Sequence, residues 1–168
     1  MRLANHDAIA ERLPAAAGSY LLVLRLDEEA VLRVGALGAF HFPDELYVYA
    51  GSARGPGGVR ARAGRHLNAH RTLHWHIDHL LRIAAPVGVW TRLGRRRLEC
   101  IWARALASDP GFCDPAPRFG ASDCHCPSHL WRLRNPRSHL RRLLSRLPFA
   151  PACLWQDESV NACREEHP

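Results

Sequence analysis

The longest apolar block lies early in the chain. Residues 20–26, YLLVLRL, are aromatic, β-branched or leucine with one arginine, which predicts a strand. Before it, residues 7–13 mix acids with apolar positions as a helical or irregular segment. The acidic triplet Asp27-Glu28-Glu29 is a turn candidate, and a second strand over 30–34 would close a hairpin with the first. Residues 35–45, GALGAFHFPDE, read as a loop, and a third strand covers 46–50. From Val59 the period changes: Val59, Ala63 and Leu67 recur every four residues and predict a helix ending near Asn68. Thr72 suits an N-cap for a second helix over 73–83, with Leu73, Ile77, Leu80 and Leu81 on one face. Pro86 ends it, and 87–93 alternates as a strand. A third helix over 98–107 turns Leu98, Ile101, Trp102 and Ala105 to the core. Residues 132–147 are basic and amphipathic, helical after Pro136, and 148–168 read as a tail of weak periodicity suited to disorder or loose packing. Three antiparallel strands followed by a helix make an α+β start, with residues 1–147 as a single domain.

Composition narrows the partners more than the fold. The 168 residues suffice for one domain with a full core. No apolar run approaches a membrane span, and the first residues lack the apolar core of a signal peptide, so a cytoplasmic protein is the expectation. The six cysteines then read as reduced thiols or metal ligands. Of 23 basic residues, all arginine, 18 lie between Gly51 and Leu147 with only 5 of the 16 acids, so that span carries 18 − 5 = +13. The two ends carry 5 − 11 = −6. A basic middle implies an anionic partner, nucleic acid being the commonest, against the alternative of a solvated basic face.

Candidate chemistry gathers in three places. In YVYAGSARGPGGVRARAGRHL, residues 47–67, a strand ending in Tyr49 runs through a glycine loop into a helix with Arg62 and His66 four apart. Loop and helix-start N–H groups can meet a phosphate and the guanidinium can hold it bidentately, although an ordinary strand-loop-helix connection has the same look. His74 and Asp78 lie four apart, with His76 and His79 on the same turns, a cluster that suits metal, phosphate or a local hydrogen bond. Cys124, Cys126 and His129 could hold zinc with His74, His76, Cys100 or Cys113 as fourth ligand. Their C-x-C-x-x-H spacing departs from the C-x-x-C knuckle, so two buried thiols beside a cleft are the expectation and zinc the alternative.

Gly18-Ser19-Tyr20 on one strand, Tyr49-Ala50-Gly51 on a later one, Arg62 and His66 on the next helix, and Glu99 early in a later helix together resemble the GIY-YIG nuclease superfamily. With HWHID (74–78) and SDCHCPSHL (122–130), the pattern is similar to one branch of it and spans residues 18–130. The resemblance implies a small antiparallel sheet flanked by helices and divalent-metal-dependent endonuclease chemistry. It also implies a DNA-repair setting, since members of the branch occur attached to DNA glycosylase domains. It implies Mg²⁺ on Glu99, phosphate charge neutralised by Arg62, water activated by Tyr20 or Tyr49, and His66 as the base behind them. Gly51, Ser52, Arg54, Arg60, Arg65, His74 and His76 are then the residues expected against nucleic acid, with DNA-repair proteins as further partners and no membrane role. The competing functions are a nucleic-acid-binding module without turnover and a zinc-stabilised interaction domain.

Overall fold

The computed structural model describes residues 6–68, 72–134, 140–157 and 160. Its elements run α1 (His6–Arg12), β1 (Gly18–Arg25), β2 (Ala30–Arg33), a 3-10 turn (Gly35–Leu37), β3 (Ala39–Phe42), β4 (Leu46–Ala53) and α2 (Gly58–Leu67). Then follow α3 (His76–Leu80), β5 (Ala85–Leu93), α4 (Glu99–Ser108), β6 (Phe112–Cys113), β7 (Leu130–Leu133), α5 (Leu140–Ser145) and β8 (Ala152–Gln156). Six strands form one sheet in the order β6-β7-β4-β1-β5-β8, and every pairing in it is antiparallel. The fold is α+β, an antiparallel sheet flanked by helices.

The central strand β1 is apolar without alternation because both sheet faces are covered. On one face Tyr20, Leu22 and Leu24 pack with Tyr47, Tyr49 and the Val59, Ala63 and Leu67 stripe of α2. On the other, Leu21 and Val23 pack with Val48, Ala50, Trp90, and the Trp102 and Leu106 side of α4. Each face buries full-sized side chains at about 1.5–3 kcal/mol apiece, so the sheet is held from both sides. The functional consequence is a sorting by parity: Tyr20 and Tyr49 face α2, while Ser19 and Ala50 face α4.

Four expectations change. The first hairpin does not form, since β1 pairs with β4 (Leu22 opposite Tyr49, Tyr20 opposite Gly51) and with β5, while β2 pairs with β3, a strand inside the expected 35–45 loop, as a separate hairpin. Long-range pairing between the two most apolar strands wins over the short connection. The helix expected over 73–83 narrows to His76–Leu80, because the Asp78 carboxylate, and not Thr72, accepts the N–H groups of His74 and Trp75 at 2.8 Å each. The expected basic segment opens as the end of strand β7, paired with β4 and β6, before its helical part, α5. The expectation for the tail is corrected over Ala152–Gln156, which extends the sheet by setting Trp155 opposite Val89. The rest of that tail, 158–159 and 161–168, lies outside the described residues, as does Pro136.

The start of α2 is closed to a phosphate. Val59 and Arg60 donate their N–H groups to the carbonyls of Ala16 and Pro14 at 3.0 and 2.9 Å, and Ala61 donates to Gly57. Gly58 makes this approach possible: its φ is +53°, and a Cβ there would stand 2.1 Å from the Ala16 carbonyl oxygen. Neither obstacle is the end of a flexible side chain. Gly58→Ala is therefore expected to destabilise the fold by about 2 kcal/mol or more, read as a lower urea midpoint at unchanged slope. An unchanged midpoint would contradict this packing.

Candidate active site

β7 pairs with β4 only as far as Tyr49 opposite Leu130, after which a single bond, Ala50 N–H to the His129 carbonyl at 2.9 Å, continues the ladder. Beyond that point β4 separates from the 119–129 loop and a cleft of about 240 Å³ opens. Tyr49, Arg62, His74, Trp75, Arg97 and Glu99 are among the residues that line it. A second depression of about 420 Å³, reaching Arg54 and Pro56, shares Ser52, Arg62, Trp75, Arg97 and Asp123 with the first. The two form one groove with arginines along it.

Below the groove runs a chain of polar groups. Tyr20 Oη lies 2.8 Å from His66 Nε2, and His66 Nδ1 faces Asp78 Oδ1 at 3.7 Å. Arg65 holds Asp78 through both oxygens, at 2.9 and 3.1 Å, and also donates to the Thr72 carbonyl. Burial works against the Asp78 carboxylate, but its bonds from His66, Arg65 and the N–H groups of Trp75 and His74 outweigh that and hold its pKa well below the carboxylate range. Burial lowers the His66 pKa from its ordinary 6.5, so the ring is neutral at pH 7 even with Asp78 favouring the charged form. Burial also raises both tyrosines, Tyr20 well above 10.0 and Tyr49 to about 12, with Arg62 pulling the other way. Both are phenols at rest.

Arg62 and Arg65 both stack on the Trp75 ring, 3.9 and 4.5 Å from its centroid, yet they do different jobs. Arg62 lines the cleft and forms no salt bridge among the described residues. Arg65 is spent on Asp78. Arg60 is tied down too, donating to the Leu13 carbonyl at 2.7 Å. Ser52 and Arg54 line the groove. Gly51 lines it as backbone, with the Tyr20 hydroxyl 2.4 Å from where a Cβ would stand. His74 is exposed on the rim, and His76 lines the cleft with Nδ1 accepting the Gly120 N–H at 3.0 Å. The expected His74–Asp78 pair exists through the backbone of His74.

Glu99 is 2% exposed and enters the cleft from the opposite face of the sheet. One carboxylate oxygen accepts the Ser19 hydroxyl and the other accepts Arg97 Nε, each at 2.9 Å. Ser19 in turn accepts the Leu98 N–H at 3.1 Å, which fixes the start of α4. Sequence reasoning passed over Ser19; its place beside Tyr20 on a strand, pointing to the other face, was the available signal.

The thiols converge just behind Glu99. Ligand atoms of Cys100, Cys124, Cys126 and His129 all lie within 4.8 Å of one another, so the cluster could hold a metal ion. His129 Nε2 is 3.4 Å from Cys124 Sγ and 3.8 Å from Cys100 Sγ, while its Nδ1 meets the Ala50 carbonyl at 3.1 Å. Of the four fourth-ligand options, Cys100 is the one in place. Burial, reinforced by the Cys126 and Cys124 thiols, pushes the Cys100 pKa up to about 12.

The polar chain has a pH signature. Asp78 is depressed in the fold, so its stabilisation is complete above its ordinary value of 3.8 and is lost as pH falls through the folded value. His66 is depressed as well, and the fold favours its neutral form, so its contribution is complete above 6.5 and declines below it. Asp78→Asn leaves Arg65 half-buried without its anion and is expected to cost about 3–5 kcal/mol at pH 7. In urea titrations the gap to wild type should narrow only below pH 3.8. Equal stability at pH 7 would contradict the assignment.

Comparison with known proteins adds the family. Neither the curated proteins nor the solved structures contain a match to this chain. A family model described as "Domain of unknown function DUF123" matches residues 19–148. That range takes in both tyrosines, α2, α3, Glu99 and the cysteine cluster, so the groove and its supports lie inside it. The chain belongs to the DUF123 family.

Proposed function

We propose that this protein hydrolyses phosphodiesters of nucleic acid, DNA in a repair setting, with a divalent metal, in the manner of the GIY-YIG nucleases its motifs resemble. The observation that carries the reading is the 2.8 Å Tyr20–His66 bond beneath a cleft lined by Tyr49, Arg62 and Glu99. A structural sheet does not need a buried phenol aimed at a neutral imidazole with a carboxylate behind it. That order of groups suits proton removal from water.

The Tyr20 hydroxyl borders the cleft floor at Gly51. Water gives one proton to Tyr20 Oη while Tyr20 passes its own to His66 Nε2. The water oxygen attacks phosphorus, the bond to the leaving oxygen breaks, and that oxygen takes a proton from solvent. His66 becomes an imidazolium facing Asp78, whose anion stabilises it. Tyr49 stays a phenol and orients water or phosphate. Arg62, planar and permanently charged, holds two phosphate oxygens as negative charge grows on them.

Glu99 and the exposed Asp123 both line the cleft, and Arg97, which bridges them at 2.9 and 3.6 Å, is 52% exposed and free to exchange. One or two carboxylates completed by water fit Mg²⁺, which keeps much of its hydration. Held there, Mg²⁺ would supply positive charge against the negative charge that grows on the phosphate during cleavage. The thiol–imidazole cluster behind Glu99 is of zinc class. The occupation of Glu99 by Arg97 favours a second reading, a nucleic-acid-binding module without turnover.

Cleavage of branched, nicked and abasic DNA with and without Mg²⁺ tests the proposal. Tyr20→Phe, Arg62→Lys and Glu99→Gln should each lower the rate by about 100-fold or more while the fold and DNA affinity persist. Affinity should fall steeply with salt, because each phosphate contact releases counterions. Cleavage that survives all three substitutions overturns the proposal. Wild type that binds but never cleaves selects the binding module.

A further inference from the structure

We infer that Cys100, Cys124, Cys126 and His129 form a closed, structural zinc site that fastens the 119–129 wall of the cleft to the first turn of α4. The inference goes beyond the nuclease reading and does not depend on it. A tetrahedral zinc with sulfur at about 2.3 Å and nitrogen at about 2.0–2.1 Å separates its ligand atoms by roughly 3.5–3.8 Å. The His129 Nε2 separations from Cys124 and Cys100, 3.4 and 3.8 Å, already have that size. No ligand atom of the four is more than 4.8 Å from another, so closure needs about 1 Å of adjustment at most.

The imidazole is also set in the required tautomer. Its Nδ1–H points to the Ala50 carbonyl at 3.1 Å, which leaves the Nε2 lone pair aimed at the thiols. Three sulfurs and one nitrogen suit Zn²⁺ and exclude Mg²⁺ or Ca²⁺ at this place, since those take oxygen ligands. Four protein donors leave no position for water or substrate, which makes the site structural.

The surrounding chain needs such a tie. Between β6 and β7 the backbone has no regular element, yet Ala116, Phe119, Ala121, Cys126, Ser128 and His129 are buried. Arg118 holds this loop from one side through the carbonyls of Cys126 and Ala121. The other side faces Cys100, which follows Glu99 directly on α4. Zinc there displaces the three thiol protons and joins α4, the loop and, through His129, strand β4. Cys113 and Cys153 lie outside the cluster and serve as internal controls.

The test is metal analysis of the full chain purified without chelator, with Co²⁺ titration of the metal-free form as a second measurement. The expected result is about one zinc per chain, kept in Cys113→Ser and lost in Cys124→Ser and His129→Asn. Co²⁺ should give thiolate charge-transfer and tetrahedral absorption bands in the wild type, a readout that stands even where a variant fails to fold. Absence of those bands overturns the inference. So do three cluster thiols that react with a disulfide reagent equally fast before and after Zn²⁺ addition, or a disulfide between any two of them.

Discussion

A single buried carboxylate organises the cationic wall of this molecule. Asp78 is fully buried and accepts two bonds from Arg65 and two from the backbone of His74 and Trp75. An ionised carboxylate in that position is tolerable only because both of its oxygens have hydrogen-bond partners. The arrangement has three consequences for the groove. It fixes the entry to α3, sets Trp75 as the plate on which Arg62 rests, and places an anion behind His66. Arg62 is left without a carboxylate among the described residues because its neighbour Arg65 has taken Asp78.

The opposite wall depends on strand parity. Tyr20 and Ser19 are consecutive on β1, so they point to opposite faces, one toward His66 and the other toward Glu99. The groove lies where β4 runs past the end of β7, and groups from both faces can reach one space there. Gly51 is the point of closest approach: the Tyr20 hydroxyl occupies the volume that any side chain on it would need. The glycine of Tyr49-Ala50-Gly51 therefore has a steric reason that does not involve a ligand.

Much of the fold was legible because its signals are local. The apolar block after Gly18, the four-residue spacing of Val59, Ala63 and Leu67, and the Trp102 face of α4 all became the elements they indicate. What failed were features decided by partners distant in sequence. Nothing near residues 27–45 indicates that β1 prefers β4 to β2, since that choice is made by apolar area across the sheet. In the candidate site, Tyr49, Arg62 and Glu99 line one cleft with Tyr20 and His66 buried beneath it, but Arg65 and Arg60 looked the same as Arg62 on paper. Only the positions of Asp78 and the Leu13 carbonyl separate Arg65 and Arg60, which are held by them, from Arg62, which lines the cleft. The C-x-C-x-x-H stretch left the metal-ligand cluster short of a donor for a similar reason. Its fourth donor comes from α4, and Cys100 is distinguished from three rival residues by packing alone.

The central claim is that a neutral His66 stands ready to take a proton from Tyr20. Its tautomer tests this directly, because accepting at Nε2 requires the proton on Nδ1, toward Asp78. Nitrogen-15 NMR of the His66 ring at pH 7 should show a neutral imidazole protonated at Nδ1, with Tyr20→Phe shifting the Nε2 resonance. A ring protonated at Nε2 alone, or an imidazolium at pH 7, would contradict the account.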